Sequence, residues 1–284
     1  MIECTSITKT FNRRIIVSSI SLKVHNGQIT SLVGSNGAGK STIIGAIAGY
    51  YPPDSGEIKK GSISIMPDAN TMYEDFTGKE FLKFISSLKS VSIDQALELS
   101  ETLSLSQDLK KKISGYSFGM KKKLSFIQAC IGKYDTYILD EPTSGVDEPS
   151  AIIMLEVIEQ LKADGAGILL TSHNLDELER VSDYVYILDK GKIVNHGSVS
   201  EITYGNETAK YYSYLLKSSE AKKICAVLSN VFQNEIQLKS SSEIMLEVKD
   251  EVDLTAILSC IIENKLLISE IYLAKKSLRE SVYH

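Results

Sequence analysis

The stretch GSNGAGKST, residues 34–42, restricts the possible folds of this chain more than any other segment. It matches the pattern G-x-x-x-x-G-K-[S/T], and it follows an apolar run, QITSLVG, and precedes a helix-forming run. A glycine-rich loop between a strand and a helix directs backbone N–H groups inward, and the start of the helix adds positive potential. The pattern therefore predicts a cradle for phosphate groups. The alternative, an incidental glycine-rich turn, does not account for the strand and the helix on either side.

Side chains at the end of this motif match the needs of a nucleoside triphosphate. Lys40 can reach the β- and γ-phosphates, and the Ser41 hydroxyl can bind Mg²⁺. Thr42 is placed to donate a hydrogen bond toward the α-phosphate. The backbone of the cradle belongs to Gly34, Ser35, Asn36, Gly37, Ala38 and Gly39.

A second apolar run, DTYILDEP (135–142), ends in two carboxylates. Asp140 at the strand end can hold Mg²⁺, often through water, and Glu141 is placed to accept a proton from an attacking water. Alone, such a strand end is better explained by a solvated turn, but together with the phosphate loop it becomes half of a two-part site. His173 ends the next apolar run (167–173). A single histidine is more often structural, yet here we expect it at the same sheet edge, where it can sense the γ-phosphate.

Apolar strands alternate with helices through most of the first two hundred residues. A helical pattern at 150–165 and a hairpin at 184–197 follow the two motifs. This alternation predicts an α/β fold with a mainly parallel sheet covered on both faces. Residues 72–132 have a different pattern of apolar and polar residues. Amphipathic helices at 78–90 and 93–105 indicate a helical insertion there.

The pattern changes again after about residue 205. Successive runs predict β-α-β-β-α-β and then a terminal helix, which is the order of a small ferredoxin-like module. We therefore predict two domains, residues 1–204 and residues 205–284. The scattered cysteines lack metal-binding spacing and are interpreted as reduced, small apolar residues: Cys4, Cys130, Cys225 and Cys260.

Charge and hydropathy narrow the class of protein. The formal net charge is −5, which argues against nucleic acid as a partner, because nucleic-acid-binding surfaces are usually basic. No apolar run approaches the roughly 18 residues of a membrane span, and the N-terminal residues lack the pattern of a secretory signal. We expect a protein that remains in the cytoplasm.

Taken together, the motifs over residues 2–200 resemble the nucleotide-binding domain of ATP-binding cassette (ABC) transporters. The resemblance implies a P-loop NTPase with a RecA-like parallel core, an antiparallel β subdomain and a helical subdomain, binding ATP and Mg²⁺. In that family a signature motif, usually Leu-Ser-Gly-Gly-Gln, lies between the phosphate loop and the Asp-Glu strand. YSFGM (116–120) stands in that place, so Ser117 and Gly119 match its serine and its second glycine. In the family this motif closes over the ATP held by a second subunit; a plain helix N-cap by Ser117 is compatible with that role.

The signature segment (116–120) departs from the family pattern at Tyr116, Phe118 and Met120. Phe118 replaces a glycine that allows close approach. A bulky or charged residue there is a feature of exporter subunits of the drug- and bacteriocin-resistance type. For the lysines at 121–123 we expect a solvated helix face, and the alternative is a contribution to holding the nucleotide's charge.

A second departure is Asp68, which stands where the family usually places glutamine in the loop that joins the core to the helical insertion. The resemblance implies contact with Mg²⁺ and the attacking water. If the carboxylates of Asp68 and Glu141 came within about 4 Å of each other, they would repel by about 4 kcal/mol at an effective dielectric constant of about 20. We therefore hypothesise that Asp68 enters the site only when Mg-ATP is present. The alternative is a turn-forming Pro-Asp.

Three further matches follow from the resemblance. Phe11 stands where the family stacks an aromatic ring on adenine, with an ordinary buried aromatic as the alternative. Asp147 belongs to the loop that crosses the interface between two cassettes. Residues 72–90 match the region on which helices of a membrane subunit dock.

The resemblance implies an ATP-hydrolysing subunit of an ABC exporter, at the inner face of the membrane, which acts on a separate permease. It also implies a dimer with a second cassette, of the same or a different kind. A soluble ABC ATPase acting on DNA or ribosomes is one rival, but the chain lacks long coiled-coil insertions and tandem cassettes. A degenerate, non-hydrolysing cassette is the other rival, and the altered signature segment keeps it open.

Overall fold

The chain folds as two compact units, Met1–Ser198 and Val199–His284. The computed structural model describes residues 1–204, 212–232, 236–248 and 251–274. The helix Val199–Tyr204 falls in the second unit, whereas the sequence pattern places the change at about residue 205.

Two sheets and a helical segment make up the first unit. In chain order its elements are β1 (Ile2–Phe11), β2 (Arg14–Val24), β3 (Ile29–Val33), α1 (Lys40–Ala48), β4 (Ser55–Lys60), β5 (Ile63–Ile65), α2 (Gly78–Leu88), α3 (Ile93–Thr102), α4 (Phe118–Cys130), β6 (Thr136–Asp140), α5 (Glu148–Ala163), β7 (Gly167–Thr171), α6 (Leu175–Val181), β8 (Tyr184–Asp189) and β9 (Lys192–Ser198). The antiparallel sheet has the order β2-β1-β4. The larger sheet has the order β5-β6-β7-β3-β8-β9 and is parallel except for β9 at its edge. The predicted, mainly parallel core is thus confirmed.

The order of the parallel strands brings the motifs together. Strands β3 and β7 are buried at every position and β6 at all but its last, which is typical of parallel strands covered on both faces. Because β6, β7 and β3 are neighbours, the phosphate loop, the two carboxylates and His173 all follow strands that end at one edge of the sheet.

The helical segment confirms the two amphipathic helices expected between the phosphate loop and the Asp-Glu strand. Helix α2 starts with a capping box in which Thr77 and Glu80 each accept a backbone N–H from the other. Both helices end slightly earlier than their apolar patterns suggest. Ser90 and Ser104, just beyond them, have φ of 55°, a left-handed conformation that cannot continue a helix.

A half-buried lysine joins the end of α2 to the end of α4. Lys89 Nζ donates to the carbonyl oxygens of Gln128 at 2.6 Å and Ile131 at 3.2 Å, and to Ser64 Oγ of β5 at 3.0 Å. It also lies 4.8 Å from the centroid of the Tyr134 ring. A cation at the C-terminus of a helix is favourable, but burial lowers the pKa of Lys89 to about 8.

We predict that Lys89 makes the stability of the protein rise with pH. Its pKa is about 8 in the folded state against 10.5 ordinarily, so the unfolded chain binds more protons between these values. Relative to a Lys89→Met variant, the free energy of unfolding should therefore rise by on the order of 1–2 kcal/mol between those pH values, because partial exposure of the ammonium to solvent reduces the full effect. Urea unfolding of both proteins across that range measures the gain. The matched control is Lys83→Met, which replaces an exposed lysine of α2. A pH-independent difference between the wild type and Lys89→Met would refute the prediction.

The second unit has its own sheet and core. Its elements are α7 (Val199–Tyr204), β10 (Tyr212–Lys217), α8 (Ala221–Val231), β11 (Ile236–Leu238), β12 (Glu243–Val248), α9 (Glu251–Glu263) and β13 (Glu270–Leu273). From β10 onward the order is β-α-β-β-α-β, as the sequence pattern predicts, and the antiparallel sheet has the order β11-β12-β10-β13. Leu216, Ile224, Leu246 and Ile257 are among the apolar side chains buried in its core. The predicted terminal helix lies at residues 275–284, outside the described residues.

The cysteines are free thiols, as expected, and Cys4 and Cys130 are buried. Burial raises the pKa of the Cys4 thiol to about 12, which keeps it protonated and inert. Across the described ranges, no helix is both long enough and apolar enough to span a bilayer.

Candidate active site

A cleft of about 270 Å³ opens at the edge of the parallel sheet where the motifs converge. Its lining comprises Ile16, Asn36, Gly37, Gly39, Lys40, Ser41, Thr42, Asp140, Glu141 and His173. Phosphate loop, paired carboxylates and histidine are thus brought together in one cleft. Gly34, Ser35 and Ala38 belong to the loop but do not line the cleft, and neither do Phe11, Asp68, Ser117, Gly119 and Asp147.

The loop requires glycine at two positions for different reasons. Gly39 has φ of 112°, and a Cβ there would lie 2.6 Å from the Val17 side chain. A Cβ on Gly34 would collide with the carbonyl oxygen of Leu188 in β8. A side chain at either position would displace the loop, so both positions require glycine for the loop to keep this conformation.

Lys40 spans the cradle from the first position of α1. Its Nζ donates to the carbonyl oxygens of Gly34 at 2.6 Å and of Ser35 at 3.3 Å. Burial lowers the pKa of Lys40, and the charges of Glu141 and Asp140 oppose this effect. The ammonium is held by neutral carbonyls, so it can exchange them for a phosphate oxygen without breaking an ion pair.

Asp140 and Glu141 are fixed by a residue that the sequence interpretation did not single out. Thr171 Oγ1, at the end of β7, donates to Asp140 Oδ1 and accepts the Glu141 backbone N–H at 3.0 Å. Glu141 has φ of 52°, a left-handed conformation that costs a non-glycine residue about 1–3 kcal/mol. Its side chain lines the cleft, so the left-handed backbone occurs at a residue of the candidate site.

The carboxylate of Glu141 pairs with His173, with 2.9 Å between Oε1 and Nε2. Burial raises the pKa of Glu141, His173 opposes the rise, and Asp140 adds to it. A raised pKa makes a carboxylate a stronger base toward water. The structure therefore places His173 on the predicted base, an arrangement that orients both groups.

The oxygen groups of Ser41 and Asp140 suit Mg²⁺. Both residues line the cleft, and hydroxyl and carboxylate oxygens are the hard ligands this ion prefers. Within the part of the chain that the structure describes, no three or more His, Cys, Asp or Glu side chains are grouped to hold a metal ion. Mg²⁺ usually takes one or two protein ligands and completes its shell with phosphate and water.

Asp68 caps a short 3₁₀ turn, Ala69–Thr71, and is exposed. Its Oδ1 accepts the Asn70 backbone N–H at 2.9 Å and the Asn70 side-chain amide at 3.0 Å. This is the geometry of the turn-forming alternative. The entry of Asp68 into the site with Mg-ATP stays a prediction, which Mg²⁺ titration of ATP hydrolysis by an Asp68→Asn variant would check.

The signature segment forms the start of α4. Ser117 is the N-cap and accepts the Met120 N–H at 3.2 Å. A Cβ on Gly119 would lie 3.0 Å from the Gly145 carbonyl oxygen, and one on Gly145 would lie 2.6 Å from the Phe118 ring. Phe118 thus fills space that a side chain at position 145 would need. The bulky residue is accommodated within the chain because its neighbour is glycine.

The expectation of a solvated lysine face on α4 is wrong. Lys122 and Lys123 are only 8% and 9% exposed, and Lys123 Nζ lies 3.0 Å from Asp147 Oδ2. Lys121 pairs with Glu74 at 2.6 Å. The physical reason is geometric: consecutive helix positions are about 100° apart, so three in a row cannot share one solvent face.

Asp147 is the N-cap of α5. Its Oδ1 accepts the Ser150 backbone N–H at 3.0 Å and the Ser150 hydroxyl at 2.7 Å. These hydrogen bonds and the ion pair with Lys123 hold the pKa of Asp147 well below its usual range. The start of α5 is therefore fixed to α4, so the loop before Asp147 is anchored to the helix of the signature segment.

Phe11 is 40% exposed, so the buried-aromatic alternative is wrong. Its ring meets Tyr51 edge-on, with 5.0 Å between centroids, and Lys9 Nζ lies 5.4 Å from its centroid. The Tyr51 hydroxyl in turn donates to the Thr42 carbonyl at 3.0 Å. Stacking of Phe11 on adenine stays a prediction.

Fold and cleft together define a P-loop ATPase: a phosphate loop between a buried strand and a helix, with two carboxylates and a histidine at the ends of neighbouring parallel strands.

Comparison of the chain with known proteins identifies the family of P-loop ATPases to which it is similar. The family model described as ABC transporter matches residues 17–144. An uncharacterized ABC transporter ATP-binding protein of Methanocaldococcus jannaschii is 34% identical over 230 residues, which cover 78% of this chain and 86% of that protein. The linearmycin resistance ATP-binding protein LnrL of Bacillus subtilis is 32% identical over 71% of this chain and 70% of its own length. The lantibiotic transport ATP-binding protein SrtF of Streptococcus pyogenes is 30% identical over 68% of this chain and 89% of its own length.

A solved structure of the ATP-binding subunit of an ABC transporter superimposes with a TM-score of 0.66 at 28% identity, covering 71% of this chain and 91% of that one. The chain belongs to the ATP-binding proteins of the ABC transporter family, and it is an ATPase.

Proposed function

We propose that the chain is the ATP-hydrolysing subunit of an ABC exporter and drives transport through a separate membrane permease. The observation that carries the proposal is the convergence of Lys40, Glu141 and His173 in one cleft. Export is supported by two relatives whose names refer to linearmycin resistance and lantibiotic transport.

In this proposal the phosphates of ATP lie on the backbone N–H groups of the loop, with Lys40 on the β- and γ-phosphates. Ser41 and Asp140 would hold Mg²⁺, which would supply neutralisation of charge on the phosphates. Glu141 accepts the proton of the attacking water, and its contact with His173 holds the carboxylate toward the γ-phosphate.

Transport requires that hydrolysis be coupled to other subunits. Ser117 and Gly119, at the start of α4, would face the nucleotide of a second cassette. Asp147 would anchor the loop that crosses the interface between the two cassettes. The second cassette is of the same or a different kind. The net charge of −5 favours protein partners over nucleic acid.

Aromatic side chains beside α2 support a membrane-subunit partner. Tyr73 is 59% exposed and stacks on Phe76 with 5.7 Å between centroids, and Phe84 meets Phe76 edge-on at 5.9 Å. Such a surface suits an apolar helix of a permease, which would hold this chain at the inner face of the membrane.

The test is ATP-dependent association of purified Glu141→Gln protein, followed by light scattering. We expect a monomer-to-dimer shift with Mg-ATP and none with Mg-ADP, because a cassette that cannot hydrolyse ATP should retain the sandwich it forms. The Ser117→Arg form of the same variant is the control, since a large cation at the N-cap should block closure. Association that ignores ATP would contradict the proposal, as would failure to bind ATP.

A further inference from the structure

Lys122, on α4, is a charged residue that does not line the cleft and is nevertheless buried. It is 8% exposed, and its Nζ donates to the main-chain carbonyl of Glu141 at 2.7 Å and lies 3.5 Å from that of Asp140. No ion pair links Lys122 to a carboxylate among the residues described here. A buried ammonium usually pairs with an acid, so a contact made only with backbone oxygens requires another reason.

The carbonyl that Lys122 contacts belongs to the strained residue of the site. Glu141 has φ of 52°, and its N–H is already held by Thr171. Its carbonyl accepts Lys122 Nζ and also the Ser144 N–H at 3.3 Å. The left-handed backbone is therefore secured on both sides, by β7 on the N–H side and by α4 on the carbonyl side. A strained backbone conformation of this kind persists only where several surrounding contacts hold it in place.

We propose that Lys122 is a positioning residue for ATP hydrolysis, which holds the Glu141 carbonyl and thereby aims the Glu141 carboxylate into the cleft. The inference rests on the proposed role of Glu141 as the base. Lys122 does not line the cleft, so it acts on the rate through Glu141 and not through ATP.

The position of Lys122 on α4 relates it to the signature segment. It stands five residues after Ser117, about 7.5 Å along the helix axis. One rigid helix thus carries the signature serine at its start and the contact with Glu141 just over one turn later. The Lys122 contact with the Glu141 carbonyl is therefore made from the same helix that Ser117 caps.

The experiment compares Lys122→Met, which keeps most of the apolar stem and removes the donors, with Lys122→Arg, which keeps donors. We expect kcat for ATP hydrolysis to fall on the order of 10- to 100-fold in Lys122→Met, as for a misplaced catalytic group. The KM and the dissociation constant for ATP should stay within about twofold, and Lys122→Arg should recover part of kcat. The matched control is Lys121→Met, which removes the neighbouring ammonium and its pair with Glu74 and should leave kcat unchanged.

Hydrogen exchange gives a readout that does not depend on turnover. Loss of the Lys122 contact should speed exchange in peptides that contain residues 141–146, where Ser144 donates to the same carbonyl. Lys121→Met should leave those peptides unchanged. If Lys122→Met fails to fold, the same measurements on Lys122→Gln take its place.

The outcomes separate this inference from the proposed function. If Glu141→Gln is inactive but Lys122→Met keeps wild-type kcat and exchange, only the positioning role is wrong. A parallel loss of ATP affinity and kcat also refutes it, because that pattern indicates a binding or purely structural role. If Glu141→Gln hydrolyses ATP at the wild-type rate, both proposals fail.

Discussion

Replacing Glu141 by glutamine should lower the rate of ATP hydrolysis by about 10²- to 10⁴-fold, the usual contribution of a positioned general base. Glutamine keeps the size of the side chain and a polar atom for the contact with His173. In the wild-type protein His173 Nε2 lies 2.9 Å from the Glu141 carboxylate. It cannot accept a proton from water. Affinity for ATP should therefore change little, because the phosphates are held by the loop and Lys40. Phosphate release under saturating Mg-ATP and equilibrium ATP binding measure the two effects.

An exposed acid nearby provides the control for this variant. Glu148, in the first turn of α5, is exposed and does not line the cleft, so Glu148→Gln should hydrolyse ATP at the wild-type rate. A Glu141→Gln protein that retained more than about a tenth of the wild-type rate would contradict the assignment of the base.

The second large effect is expected at Lys40. A Lys40→Met variant loses the contacts with the Gly34 and Ser35 carbonyls and the charge that faces the phosphates. Charge-assisted hydrogen bonds contribute about 1.5–3 kcal/mol, so ATP should bind roughly 10- to 100-fold more weakly. Isothermal titration with ATP measures the loss.

The control for Lys40 is an exposed lysine elsewhere in the first unit, Lys133→Met, which should bind ATP like the wild type. The two main variants should thus differ in kind: Glu141→Gln binds ATP and does not turn it over, whereas Lys40→Met fails at binding. Equal loss of ATP affinity in both variants would contradict the assignment of ATP binding to Lys40 and of turnover to Glu141.

Local chemistry explains why the centre of the site was predictable. A phosphate loop needs its glycines and its lysine at fixed spacing, and the motif therefore appears in consecutive residues. The same holds for Asp140 and Glu141, which end an apolar run. His173 could be associated with them because parallel strands present their ends at one edge of the sheet.

What could not be predicted lies in contacts between distant segments. Thr171 and Lys122 hold Glu141 from β7 and α4, and neither is distinguished by its neighbours in sequence. The lysine run was misjudged because charge composition suggests solvent, whereas helix geometry turned two of its side chains inward. Burial depends on what packs against α4, which composition does not contain.

The antiparallel sheet followed only from the family resemblance. Strands β1 and β2 lack clean alternation because their pairing shifts register, with left-handed residues at Ser6 and Ser19. In the second unit the elements were predictable from alternating runs. Their sheet order was not, since an apolar pattern defines a strand but not its neighbours.

The contact between Phe118 and Gly145 has an evolutionary consequence. The aromatic ring lies where a side chain at position 145 would stand, so the two sites are not free to change in any order. Gly145 also has φ of 77°, a left-handed conformation that strains any side chain, so loss of the aromatic ring would remove the collision and leave the backbone cost. Position 145 is therefore restricted to glycine by two independent constraints, of which only the collision depends on the residue at position 118.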